Sequence, residues 1–189
     1  MGSVHLGRLS ARAAWPAGAV LAALAPAPAA AQQAWAFAQS EIVDPSTISN
    51  TADLDFGVIA PNAGGGNVLL SPSATAVCTT TGGLVRTGPC KAAVFTGLTF
   101  IGGGLRVMRP SGNSITLTGP SGATMQVNAF TFGGFGTTAY TGNNGANHHF
   151  DVTSVDGSYT FYVGGRLVVG PGQLPGVYTG TFDVRITYN

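Results

Sequence analysis

His148 and His149 are adjacent, and Asp151 lies two positions further on. Imidazole and carboxylate are ligand types for a transition metal. In a strand, neighbouring side chains point to opposite faces, so the two imidazoles diverge while His149 and Asp151 share a face. Two ligands do not hold a metal, and no H-x-x-x-H spacing supplies more. The competing reading is a polar strand end beside an Asn-rich loop. Nucleophilic catalysis has less to draw on. After Gln32 these are the only histidines, and no Gly-x-Ser-x-Gly elbow occurs. The acids are scattered and include a single Glu past Gln32, a poor inventory for paired-carboxylate glycoside hydrolysis. Gly64-Gly65-Gly66 and Gly102-Gly103-Gly104 lack the lysine and following helix of a phosphate loop. Basic residues neither cluster nor interleave with aromatics, which argues against nucleic acid. The expectation is a non-enzymatic chain with no catalytic residue, metal or cofactor.

Composition agrees with that reading. Charged residues are 8% of the 189, where a soluble domain usually has about 25%. Hydrophobic content of 44% and a formal net charge of +1 exclude the low-hydrophobicity, high-charge signature of disorder. The first segment reads as an address. Arg8 and Arg12 make a basic start, 13–31 is uncharged and rich in Ala and Leu, and Ala29-Ala30-Ala31 precedes Gln32. This is the pattern of a secretory signal peptide over residues 1–31. A membrane anchor is the rival, opposed by Pro16, Pro26 and Pro28 and by the Ala-heavy composition. Cleavage leaves a chain from about Gln32, with a net charge of −1 and no stable membrane span. Its destination is the periplasm, the cell surface or the medium. Cys78 and Cys90 are the only cysteines, and in an oxidising compartment they pair. With Thr81-Gly82-Gly83 between them, they suit neighbouring strands of a local hairpin.

The elements that must position these residues read as strands. Val94, Leu98 and Phe100 share a parity. Ile115 and Leu117 alternate with threonines. Tyr159, Phe161 and Val163 alternate with Thr160 and Tyr162, and Phe182, Val184, Ile186 and Tyr188 alternate with Asp183, Arg185 and Thr187. Gly- and Pro-rich turns such as Gly82-Gly83, Pro110-Ser111-Gly112 and Pro120-Ser121-Gly122 separate the runs. Many short strands with such turns predict one antiparallel, immunoglobulin-like β-sandwich over 32–189. Gly133–Asn147, rich in Gly, Asn and Thr, reads as the longest loop and as a ligand surface.

Three stretches carry a resemblance. Leu54-Asp55-Phe56-Gly57-Val58-Ile59 resembles the entry strand of spore-coat-U-like and fimbrial pilin-like secreted bacterial domains. The run from Gly176 to Asn189 resembles the last strand of a chaperone–usher pilin, with Gly fourteenth from the end and Tyr penultimate. Phe161-Tyr162-Val163-Gly164-Gly165-Arg166-Leu167 is similar to an uncharacterised secreted family related to these. The resemblance implies an exported structural or surface-assembly subunit whose partners are like subunits and a periplasmic chaperone and usher. It implies an assembly edge of Gly176, Phe182, Val184, Ile186 and Tyr188, and a donor strand within Gln32–Val43 carrying Trp35 and Phe37. That segment also reads as the domain's own first strand. The alternative function is a self-complete secreted sandwich that binds a glycan or surface polymer through 133–147.

Overall fold

The computed structural model describes residues 47–188. The signal segment 1–31 and the donor residues Trp35 and Phe37 lie outside the described residues. The strands are β1 (Thr47–Ala52), β2 (Val58–Ala60), β3 (Gly66–Leu70), β4 (Cys78–Thr80), β5 (Val85–Thr87), β6 (Ala93–Leu98) and β7 (Gly104–Met108). They continue as β8 (Ser114–Thr118), β9 (Thr124–Gly134), β10 (Thr138–Asn144), β11 (Asn147–Val152), β12 (Ser158–Val169) and β13 (Arg185–Tyr188). Among the described residues no helix is long and apolar enough to cross a membrane.

The long strand β12 organises a seven-stranded antiparallel sheet. Along one edge its first half pairs β6 and its second half pairs β3, while β9 runs along the other. Strand β1 extends the sheet beyond β6, β4 beyond β3, and β8 beyond β9. A second sheet of four strands runs β10-β11-β7-β13, and β2 pairs β5 in a small third ladder. The fold is all-β and antiparallel, as the strand pattern predicts, and its two main sheets pack face to face as a sandwich.

Aromatic contacts mark where the sheets meet. Phe161 of β12 stacks on Phe95 of β6, ring centroids 5.3 Å apart, and meets Phe150 of β11 at 5.5 Å. Phe150 and Phe161 are essentially inaccessible to solvent. Burying such a side chain stabilises the fold by about 1.5–3 kcal/mol. Strand β9 keeps Val127, Phe130 and Phe132 buried although the first two are three positions apart. A bulge allows it: the register with β12 shifts across Ala129, whose φ is 50°. Gly97 has a different role. A Cβ there would collide with the Tyr159 ring and the Thr47 carbonyl, so only glycine lets the Tyr159 hydroxyl donate to Thr47 O at 2.7 Å.

Three sequence expectations are corrected. Residues 133–147 are not one loop: they hold the end of β9, a turn and all of β10, which ladders with β11. Cys78 and Cys90 are bonded, Cα atoms 6.4 Å apart, but do not staple a hairpin. Cys78 lies on β4, paired to β3, while Cys90 follows β5, paired to β2, so the bond joins the small ladder to the large sheet. In β6 the buried parity is Ala93 and Phe95, and Leu98 and the following Phe100 are exposed.

Phe161→Ala is expected to cost about 3–5 kcal/mol in urea unfolding, from lost burial and a cavity the crossing sheets cannot close. Val155→Ala, at a position 88% exposed, should stay within about 0.5 kcal/mol of wild type.

Candidate functional site

The last described strand and its approach form the clearest site in the chain. Residues 173–180 run along β8. Thr179 and Thr118 exchange backbone hydrogen bonds of 2.8 and 3.0 Å, and Gln173 Nε2 donates to the Tyr178 hydroxyl at 2.7 Å. Gly176, at φ 148°, packs against the Pro120 ring where a Cβ would clash. The chain then crosses to the four-stranded sheet and pairs β7 over Arg185–Tyr188. The expected run from Gly176 to Asn189 is therefore not one strand. Gly176 belongs to the β8 contact, nine positions before β13 starts, because the Thr118–Thr179 bridge holds that part against the other sheet.

The alternation itself is present. Phe182, Val184, Ile186 and Tyr188 are half-buried against the core, and Asp183, Arg185 and Thr187 are exposed. Phe182 lies 5.3 Å from Phe130 and 6.1 Å from Phe95, ring centre to ring centre. The Tyr188 hydroxyl lies 3.5 Å from that of Tyr159. Burial raises the Tyr159 phenol far above its usual range, and the neighbouring Tyr188 adds to the shift. Strand β13 ends the order β10-β11-β7-β13, so one side of its backbone has no ladder partner among the described residues. On the other sheet β1 is likewise terminal, and the Tyr159 hydroxyl touches both Thr47 and Tyr188.

The histidines separate as strand geometry requires. His149 and Asp151 face outward on β11, and His148 points inward, 6% exposed. The His148 ring stacks on Phe132 at 4.0 Å, its Nδ1 lies 3.2 Å from the Tyr140 hydroxyl, and its Nε2 has no partner among the described residues. Burial lowers its pKa from 6.5 to about 4, with further lowering from the charges of Arg109 and His149. Among the described residues no three His, Cys, Asp or Glu converge on a point. Sequence reading missed both the His148–Phe132 stack and the proximity of Arg109 to it. The buried side of β11 was signalled by Phe150 and Val152, which share His148's parity.

The two sheets, with a terminal strand unpaired among the described residues, define the class of fold, an all-β antiparallel sandwich. Within it, the chain belongs to the family described as Domain of unknown function (DUF4402), whose model matches residues 47–188. No curated protein and no solved structure matches the chain.

The neutral His148 makes stability pH-dependent. Its folded pKa is depressed, so its contribution is present above pH 6.5 and lost as pH falls through about 4. The unfolding free energy from urea titrations should fall over that window, by roughly 1–3 kcal/mol at 1.36 kcal/mol per pKa unit. His148→Phe should flatten that part of the profile. An equally steep fall in the variant would assign it to carboxylates.

Proposed function

We propose that the chain is an exported, non-enzymatic, pilin-like subunit that builds a surface structure through the free edge of β13. The observation that carries this reading is the edge itself: a backbone with no ladder partner among the described residues, over inward side chains that are only half-buried. Such an edge accepts a strand from another molecule, with main-chain bonds for affinity and alternate side chains for register. The low charge of the chain suits packing between like subunits. In this reading the family is related to spore-coat-U-like and fimbrial domains, and a periplasmic chaperone and usher are its handling partners. The donor is Gln32–Val43 with Trp35 and Phe37. A self-complete secreted sandwich is the second reading. It is favoured by the packing of Phe182 and Tyr188 on the domain's own core.

Assembly is tested on the exported protein by size exclusion and by heat-stable ladders on denaturing gels. The wild type should form ladders, and the double variant Trp35→Asp, Phe37→Asp should give a folded monomer. A wild type that stays monomeric at high concentration, with a candidate chaperone and usher co-expressed, removes the assembly reading. Export is checked separately by N-terminal sequencing, with a start near Gln32 expected. An intact Met1 in a membrane fraction would make residues 13–31 an anchor.

A further inference from the structure

The far end of β13 from Tyr188 borders a cleft of about 510 Å³, within the ~300–1,000 Å³ range of small-molecule sites. Three segments build it: the loop after β7 with Arg109, Ser111 and Asn113, the β10–β11 turn at Ala146, and the approach to β13 with Asp183 and Arg185. The wall is fixed. Arg109 N donates to Ala146 O at 3.1 Å, and Asn113 N to Pro110 O at 3.0 Å. Asn113 Oδ1 accepts from Phe130 N at 3.2 Å, which holds Asn113 at φ 52° after Gly112 at φ 70°. A site held open in this way pays little ordering cost on binding.

Its charges are unbalanced. Among the described residues Arg109 pairs with no carboxylate, and its charge is felt at the buried His148. Arg185 reaches Asp183 at 3.5 Å, but both side chains are more than two-thirds exposed, so that pair holds its partners weakly. Two guanidiniums favour a planar anionic group, which they can engage by two parallel hydrogen bonds. Asp183 in the same cleft repels any anion set against it, a phosphate dianion more than a single carboxylate, and accepts hydrogen bonds from hydroxyls, so a ligand fits with its one charge toward Arg109 and hydroxyls toward Asp183. No aromatic side chain lines the cleft, so a neutral sugar has no ring to stack on.

We propose that this cleft binds a carboxylate-bearing sugar residue of an acidic polysaccharide. The sugar carboxylate meets Arg109 and Arg185, and ring hydroxyls donate to Asp183. The site lies outside 133–147 except at Ala146; Arg185 belongs to β13, but Arg109 is on the loop after β7 and off the free edge of that strand, so a change at Arg109 separates ligand binding from assembly.

The test is calorimetric titration of the exported full-length protein with trigalacturonate, a neutral galactose trimer and inorganic phosphate, alongside NMR of the His148 ring. Saturable binding of trigalacturonate is expected, weakened at least tenfold by Arg109→Ala and by Arg185→Ala and unchanged by Lys91→Ala. A carboxylate beside Arg109 favours the imidazolium, so the His148 pKa should rise from about 4 on saturation. Arg109→Ala should leave any assembly ladder intact. The proposal is overturned by no binding to the folded wild type, by equal binding of the neutral trimer or of phosphate, or by binding that leaves His148 unmoved.

Discussion

Strand β12 has a neighbour along each edge, one face buried along its length and the other buried at its middle, and the other elements take their positions from it. Tyr159, Phe161 and Val163 point to one side, and Tyr162 and Gly164 are buried on the other. That second face is covered only at its middle, since Ser158 and Thr160 on it are part-exposed and Arg166 is exposed. The strand fixes β6 and β3 end to end on one edge and β9 on the other. It also places Phe161 to receive Phe150 from the second sheet. The small residues serve the same end. Gly97 admits the Tyr159 ring, and Gly164 lets the Leu70 carbonyl and Pro72 close over the strand. With 8% charged residues, little of this chain's cohesion is electrostatic.

One of the buried polar residues, His148, belongs to the second sheet. His148 stays neutral down to about pH 4, chiefly because burial, and then the Arg109 charge, oppose its protonation. Its stacking on Phe132 joins β11 to β9, and its alignment with Tyr140 joins β11 to β10. The same strand's outward face turns His149 toward solvent, opposite Arg106 of β7. One face of β11 thus contributes to cohesion, while the other carries His149 and Asp151 outward.

Much of this was legible in the residues, and what was not has physical causes. β8 and the 182–188 run alternate because one face is wet, and that period survives in the structure. In β12 the period fades at Tyr162, since both faces are covered. In β9 the Ala129 bulge breaks the two-residue repeat, which hides an eleven-residue strand from any parity count. Residues 133–147 resemble a loop by composition, yet an edge strand such as β10 needs few large side chains, and a register shift at Gly142 accommodates its glycine. The cysteines suggest a local hairpin by spacing alone, because spacing does not say which ladders their strands join. Arg109 and Arg185 meet only because β7 and β13 pair, and no local signal links them.

Sheet edges decide what such a sandwich can do with its neighbours, and here the edges are treated unequally. β8 is covered by the Thr118–Thr179 bridge. The start of β10 is tied to β12, where Thr138 Oγ1 accepts from Thr160 N at 3.1 Å and Phe135 N donates to Thr160 O at 3.2 Å. β4 is anchored by the Cys78–Cys90 bond beside the Asp55–Lys91 bridge. β1 and β13 have no comparable cover among the described residues. β1 carries no charge in Thr47–Ala52 to discourage pairing, whereas β13 has Arg185. These two edges lie on different sheets, yet Tyr159 touches both, through Thr47 on one and Tyr188 on the other. The tyrosine pair is thus a contact common to the ends of both sheets.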